Sequence, residues 1–91
     1  MRAIYKYQLK VQDSQELMLP IGTEILSVCE QYNSIVLYAI VNKDEKIEHK
    51  YQVKIFGTGH DIQPDLNDED IFLGTVSLSG GRLMFHVFIT E

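Results

Sequence analysis

Apolar and polar residues alternate with a period of two along most of the chain. In residues 51–56 the odd positions are all apolar and would share one face of a strand, while Lys54 lies on the other. This alternation is typical of β-strands. The same reasoning predicts seven strands, at residues 3–11, 15–19, 23–30, 35–42, 47–56, 71–78 and 82–90. A short helix is the alternative for residues 23–30, but the β-branched residues there favour a strand.

Turn-forming residues separate these segments about every 8–12 residues. Pro20 and Gly22 mark one turn, residues 32–34 a hairpin connection, and residues 79–81 a glycine-rich hairpin turn. Gly74 interrupts a strand, which predicts a bulge or a close approach of another chain segment. No segment reads as a convincing helix. The pattern therefore predicts an all-β fold, a small antiparallel barrel or sandwich of six to seven strands that forms a single domain over residues 1–91.

Some predicted strands are apolar on both faces, above all residues 35–42 and 82–90. A strand of this kind belongs in the centre of a sheet or under a second layer, and we expect residues 47–56 to pair with residues 35–42 as a hairpin. A chain of 91 residues has only one interior to fill. We therefore expect the second apolar faces to contact another copy of the chain, which predicts a homo-oligomer and most simply a dimer.

Composition and net charge argue against several classes of protein. The apolar fraction of 45% argues against a disordered chain, and the net charge of −5 argues against a general binder of nucleic acid or of an anionic membrane. The single cysteine, Cys29, lies in an apolar run and is predicted to be buried. We find no signal-peptide core and no apolar run of the ~18–20 residues that a membrane helix needs. These features predict a soluble protein of a reducing compartment.

The turn after residue 56 is the first candidate site. Gly57, Thr58, Gly59 and His60 follow a strand directly, and two nearby glycines allow backbone N–H groups to approach an anion. His60 is either a polar cap of the turn or a ligand contact. The motif lacks the lysine and spacing of a P-loop, and no helix follows it.

Other side chains could complete such a site. Lys54, Arg82, His86 and Tyr7 are the candidates, together with the four residues of the turn. Aromatic rings can stack on a planar base while the glycine turn holds a phosphate. The alternative is that the aromatic residues only fill a β core and that His86 is a satisfied core or interface residue.

Metal binding and catalysis have weaker support. Residues 61–70 hold five acidic residues but lack the glycine and final glutamate of a calcium loop, so a solvated loop is expected. Two histidines cannot hold zinc without further ligands. We therefore expect no metal and no cofactor. A phosphodiesterase that uses His60 and His86 stays open as an alternative.

Five sequence blocks are similar to a family of small, uncharacterised phage and prophage proteins. The blocks are IYKYQL at residues 4–9, LPIGTEILSV at 19–28, FGTGHDI at 56–62, LGTV at 73–76 and FHVF at 85–88. The resemblance spans nearly the whole chain. It implies a viral source, and hence the cytoplasm of the bacterial host, but it assigns no role to any residue.

Together these observations favour a non-enzymatic phage protein. We expect it to sequester a small anionic, nucleotide-like ligand, such as a cyclic nucleotide used as a bacterial immune signal, and so to counter host defence. The alternatives are a protein–protein interaction module that inhibits a host enzyme and the phosphodiesterase named above.

Overall fold

The computed structural model describes all 91 residues, which form seven β-strands and one short 3₁₀ turn, Ser79–Gly81. The strands make two open antiparallel sheets and no closed barrel. The predicted all-β fold is confirmed, as a sandwich. The strands are β1 (Arg2–Leu9), β2 (Ser14–Pro20), β3 (Glu24–Gln31), β4 (Ser34–Asn42), β5 (Glu48–Gly57), β6 (Ile71–Leu78) and β7 (Leu83–Thr90).

The strand order is β1-β4-β3 in the three-stranded sheet and β2-β5-β7-β6 in the four-stranded sheet. The predicted hairpin between β4 and β5 is wrong, because β5 pairs with β2 and β7. Both edges of β4 are already occupied by β1 and β3, so the chain crosses to the other sheet after β4. The β3–β4 and β6–β7 hairpins form as expected. Tyr32 and Asn33 have the positive φ values of a two-residue hairpin turn.

The two sheets share one apolar core, to which both contribute fully buried side chains such as Leu37 and Val53. β4 is the central strand of its sheet, as its apolar sequence predicts, and alternate residues from Ile35 to Val41 face this core. Burial of this apolar surface is the main stabilising term of the fold. The thirteen core residues are Leu9, Leu19, Ile35, Leu37, Ala39, Val41, Tyr51, Val53, Ile55, Val76, Leu78, Val87 and Ile89.

A bulge at Leu26 changes which side chains of β3 face the core. Leu26 has no partner in β4, so Ile25 and Val28 both pack against the core while Leu26 is exposed. A bulge resets the alternation of faces in this way. Simple alternation would put Leu26 and Val28 on one face, and that expectation is wrong.

β6 carries a second bulge, at Leu73. The next residue, Gly74, lies close to β3, since a Cβ atom there would be 3.1 Å from Val28 Cγ2. The expectation of a bulge or a close approach at Gly74 is thus confirmed, with Leu73 as the extra residue.

Cys29 is exposed, so its predicted burial is wrong. It pairs with Val36 of β4 on the face of the sheet that points away from the core. The apolar sequence around it does not reveal this orientation, because the bulge at Leu26 shifts the register of β3.

Candidate functional site

The turn at residues 57–60 ends β5 and is closed by its own backbone. The His60 N–H donates to the Gly57 carbonyl at 3.1 Å, and the Thr58 N–H donates to the Met84 carbonyl at 3.2 Å. Gly59 has a φ of +89°, a conformation that favours glycine. Its N–H has no hydrogen-bond partner within the chain. The turn therefore offers one free backbone N–H group to an anion, whereas the sequence predicted several.

The His60 ring lies against Gly57. A Cβ atom at Gly57 would be 2.8 Å from His60 Cε1 and 2.9 Å from His60 Nδ1. The glycine is therefore needed for this close approach. His60 also lines two shallow hollows, of about 150 Å³ toward Asp13 and about 250 Å³ toward Arg82. The turn is packed by its own histidine but still has open space beside it.

The larger hollow carries a free positive charge. Arg82 lines it together with Thr58 and His60, and the Arg82 guanidinium makes no ion pair within the chain. A guanidinium presents several N–H donors in a fixed plane that suits phosphate and carboxylate groups. This hollow can therefore accept a small anion even though the protein as a whole is acidic.

His86 lies on the outward face of β7 and is held by two hydroxyl groups. The Thr58 Oγ1 is 2.8 Å from His86 Nε2, and the Thr75 Oγ1 is 2.9 Å from His86 Nδ1. No hydrogen bond joins His86 to His60. Both ring nitrogens are engaged, so this imidazole is oriented firmly but has no free nitrogen to act as a base.

An aromatic cluster continues this face. The Phe88 ring contacts Phe56 and Phe72, with ring centroids 5.9 Å and 5.3 Å apart. Phe56 is buried, whereas Phe72 is 54% exposed. Sequence reasoning missed Phe72. Its place follows from the pairing of Phe72 with Phe88, which depends on the register of β6 against β7.

Lys54, a predicted ligand contact, has an internal partner instead. Its Nζ donates to Asp70 Oδ2 at 2.8 Å and to the Asp65 carbonyl at 2.5 Å. The Asp70 side chain has no exposed surface, so the expectation of a fully solvated acidic loop is wrong at this residue. The contacts tie residues 61–70 to the outward face of the four-stranded sheet.

The environment of Asp70 sets its ionisation. Burial acts to raise the pKa of the Asp70 carboxyl, but the hydrogen bond from Lys54, the Asn67 N–H and the charge of Lys54 outweigh this and lower it. The carboxylate is therefore ionised and paired. Its second oxygen, Oδ1, is buried without a hydrogen-bond partner.

Tyr7 is not part of the candidate site. It lies in β1 of the other sheet and packs against the core. Burial raises the pKa of Tyr7, with smaller effects from Tyr5 and Glu48. Tyr7 lines neither of the two hollows beside His60. The structure thus brings together the turn, Arg82 and His86, and leaves out Lys54 and Tyr7.

A separate cleft of about 300 Å³ opens between the sheets at the far end of β5, and sequence reasoning missed it. Ile25 and Ile89 line it, and Glu91 is its one charged residue. Burial raises the pKa of the Tyr51 phenol in its wall, and Glu91 adds to the effect. A mostly apolar cleft with a carboxylate does not suit an anion, so the hollow at Arg82 remains the candidate anion site.

The fold and site define a seven-stranded β-sandwich with a small, cation-bearing hollow beside a glycine turn. The chain belongs to the family described as a domain of unknown function (DUF7352), whose model matches residues 1–91. No curated protein and no solved structure matches the chain. The chain forms no helix of the length and apolarity needed to cross a membrane.

Proposed function

We propose that this protein binds a small anionic, nucleotide-like ligand without chemical turnover. The ligand would lie along the outward face of β7, with its anionic group in the hollow at Arg82. The observation that carries the proposal is the free guanidinium of Arg82, which shares that hollow with Thr58 and His60.

The arrangement of side chains along β7 fits a ligand with a charged end and a planar end. Met84, His86 and Phe88 alternate on the outward face, and Arg82 precedes them at the hollow. Phe88 lies six positions after Arg82, which is about 20 Å along a strand. Because that span is longer than one nucleotide, it suits a ligand of dinucleotide size better than a mononucleotide. The exposed ring of Phe72, beside Phe88, gives a surface on which a base can stack.

The contacts of His60 and His86 favour binding over catalysis. The hydroxyls of Thr58 and Thr75 occupy both nitrogens of His86, and His60 rests on Gly57. An acid–base pair would need at least one of these arrangements to break.

The resemblance to phage proteins gives the binding a biological role. In this proposal the protein acts in the cytoplasm of a bacterial host and sequesters a nucleotide signal of the host's defence. Sequestration needs only tight binding and enough copies of the protein, so a small domain without catalytic groups suffices.

Isothermal titration calorimetry with inorganic phosphate, mononucleotides and cyclic dinucleotides tests the proposal. We expect at least one nucleotide to bind and Arg82→Ala to weaken it at least tenfold, since a hydrogen bond to a charged group contributes about 1.5–3 kcal/mol. Arg2→Ala is the matched control, because Arg2 pairs with Glu24 on the other sheet. Phe72→Ala should weaken nucleotides but not phosphate. The proposal fails if no nucleotide binds, or if both arginine variants have the same effect.

A further inference from the structure

The outer edge of β1 carries unpaired backbone groups. The Lys43 N–H donates to the Met1 carbonyl at 2.8 Å, so the backbone groups of odd-numbered β1 residues point toward β4. Because backbone direction alternates along a strand, the N–H and C=O groups of the even-numbered residues point away from the sheet. Those residues are Arg2, Ile4, Lys6 and Gln8.

The Gln15 side chain closes one end of this edge. The Lys10 N–H donates to Gln15 Oε1 at 3.0 Å, and Gln15 Nε2 donates to the Lys10 carbonyl at 2.6 Å. The side-chain amide thus takes the place of a neighbouring strand. The edge that remains open runs from Arg2 to Gln8 and is centred on Tyr5.

The other three edge strands carry features that oppose pairing. β3 has its bulge at Leu26 and β6 at Leu73. β2 ends at Pro20, which has no N–H to donate. Its outward groups belong to even-numbered residues, because the Asp13 carbonyl accepts from Ile55 of β5. The open part of β2 is therefore centred on Glu16, and symmetric pairing there would oppose two carboxylates.

We propose that β1 pairs antiparallel with β1 of a second copy of this chain, about a two-fold axis at Tyr5. The two three-stranded sheets then form one six-stranded sheet. Arg2 faces Gln8 of the second copy and Ile4 faces its Lys6, so every outward N–H and C=O finds a partner. The pairing also covers the exposed side chains of Ile4 and Tyr5.

Neighbouring registers are less favourable. An axis at Ile4 would place Arg2 opposite Lys6, which are like charges. An axis at Lys6 would oppose two lysines and would need the backbone groups of Lys10 that Gln15 already occupies. Only an axis at Tyr5 uses all the open backbone groups of Arg2 to Gln8 and places no two like charges directly opposite each other.

Sedimentation equilibrium is the first test. The purified protein should have twice the 10.5 kDa mass of one chain. Ile4→Pro removes an N–H that points outward, so it should leave the pairing with β4 intact and raise the dissociation constant of the dimer at least tenfold. Met18→Pro is the matched control on β2, where the N–H also points outward, and it should leave the dimer unchanged.

Cysteine crosslinking tests the register without relying on a proline. In a Cys29→Ser background, Tyr5→Cys places two cysteines on the axis as a non-hydrogen-bonded pair, with Cα atoms about 4.5 Å apart, which a disulfide can span. Gln8→Cys places them about 20 Å apart. We expect rapid crosslinking of the first variant only. A monomeric protein at about 100 μM, equal crosslinking of both variants, or a dimer unaffected by Ile4→Pro would overturn the proposal.

Discussion

The two sheets bury apolar side chains on their outward faces by different means. On the three-stranded sheet, Val36 is only 3% exposed although it points away from the core. The register places the hydrogen bond from Lys6 Nζ to Gln31 Oε1, 2.7 Å long, across β4 at this residue. Long polar side chains of the flanking strands therefore cover it.

On the four-stranded sheet, Phe56 is 7% exposed and also points away from the core. Its ring contacts the Phe88 ring, and the buried ion pair of Lys54 and Asp70 holds residues 61–70 against the same face of the sheet. We therefore expect this segment to supply the rest of the cover. One sheet uses individual side chains as a cover, and the other uses a folded loop.

This comparison shows that a strand that is apolar on both faces does not need a partner chain to cover it. The expectation of an oligomer rests on that need, and both faces of β4 are largely covered within one chain. The open edge of β1 is the feature of the chain that favours self-association. If the two covers differ in this way, substitutions beneath or within them should change stability by different amounts, from several kcal/mol at Phe56 to less than about 0.5 kcal/mol at Lys6.

Phe56→Ala should have the largest effect. Removal of a buried ring costs about 3–5 kcal/mol, because the cavity cannot collapse under an anchored loop. Urea denaturation followed by circular dichroism measures the change. Phe72→Ala removes a ring that is 54% exposed and should cost less than about 1 kcal/mol. Equal effects of the two variants would show that the loop does not cover Phe56.

Lys54→Met should lower the free energy of unfolding by about 3 kcal/mol, since it leaves the buried Asp70 carboxylate unpaired. Limited proteolysis should also cut residues 61–70 sooner than in the unaltered protein. A variant as resistant as the unaltered protein would show that the ion pair does not hold the loop.

Low pH should weaken the same ion pair of Lys54 and Asp70. The folded-state pKa of Asp70 is lowered, so its contribution to stability is complete above the unfolded-state value near 4 and is lost as pH falls through the folded-state value. Asp70→Asn lacks this contribution. Denaturation curves at several pH values should give different free energies of unfolding for the unaltered protein and Asp70→Asn at neutral pH, and similar values in acid. A constant difference between them would contradict the prediction.

Lys6→Met should have the smallest effect, under about 0.5 kcal/mol. Its hydrogen bond to Gln31 is exposed, and the methionine stem can still lie over Val36. The same denaturation assay measures it beside Lys54→Met. A loss as large as that of Lys54→Met would mean that the polar cover of β4 is as important as the loop.

The sequence alone determined the all-β class, the positions of the strands and the turns between them, because a period of two and turn residues such as Gly80 and Gly81 are local signals. It also indicated the glycine turn beside His60. These features depend on residues close together in the chain, and tertiary contacts did not change them.

Only the tertiary structure decided how the strands pair and what each charged residue does. The transfer of β5 to the second sheet depends on which strand edges are already occupied. The exposure of Cys29 depends on the bulge at Leu26, which belongs to the pairing of β3 with β4. The sequence predicts that Lys54 is free to contact a ligand, but the fold pairs it with Asp70, sixteen residues away. Arg82 meets the turn only because β7 pairs with β5. Register and long-range pairing are properties of the whole chain, and local patterns do not specify them.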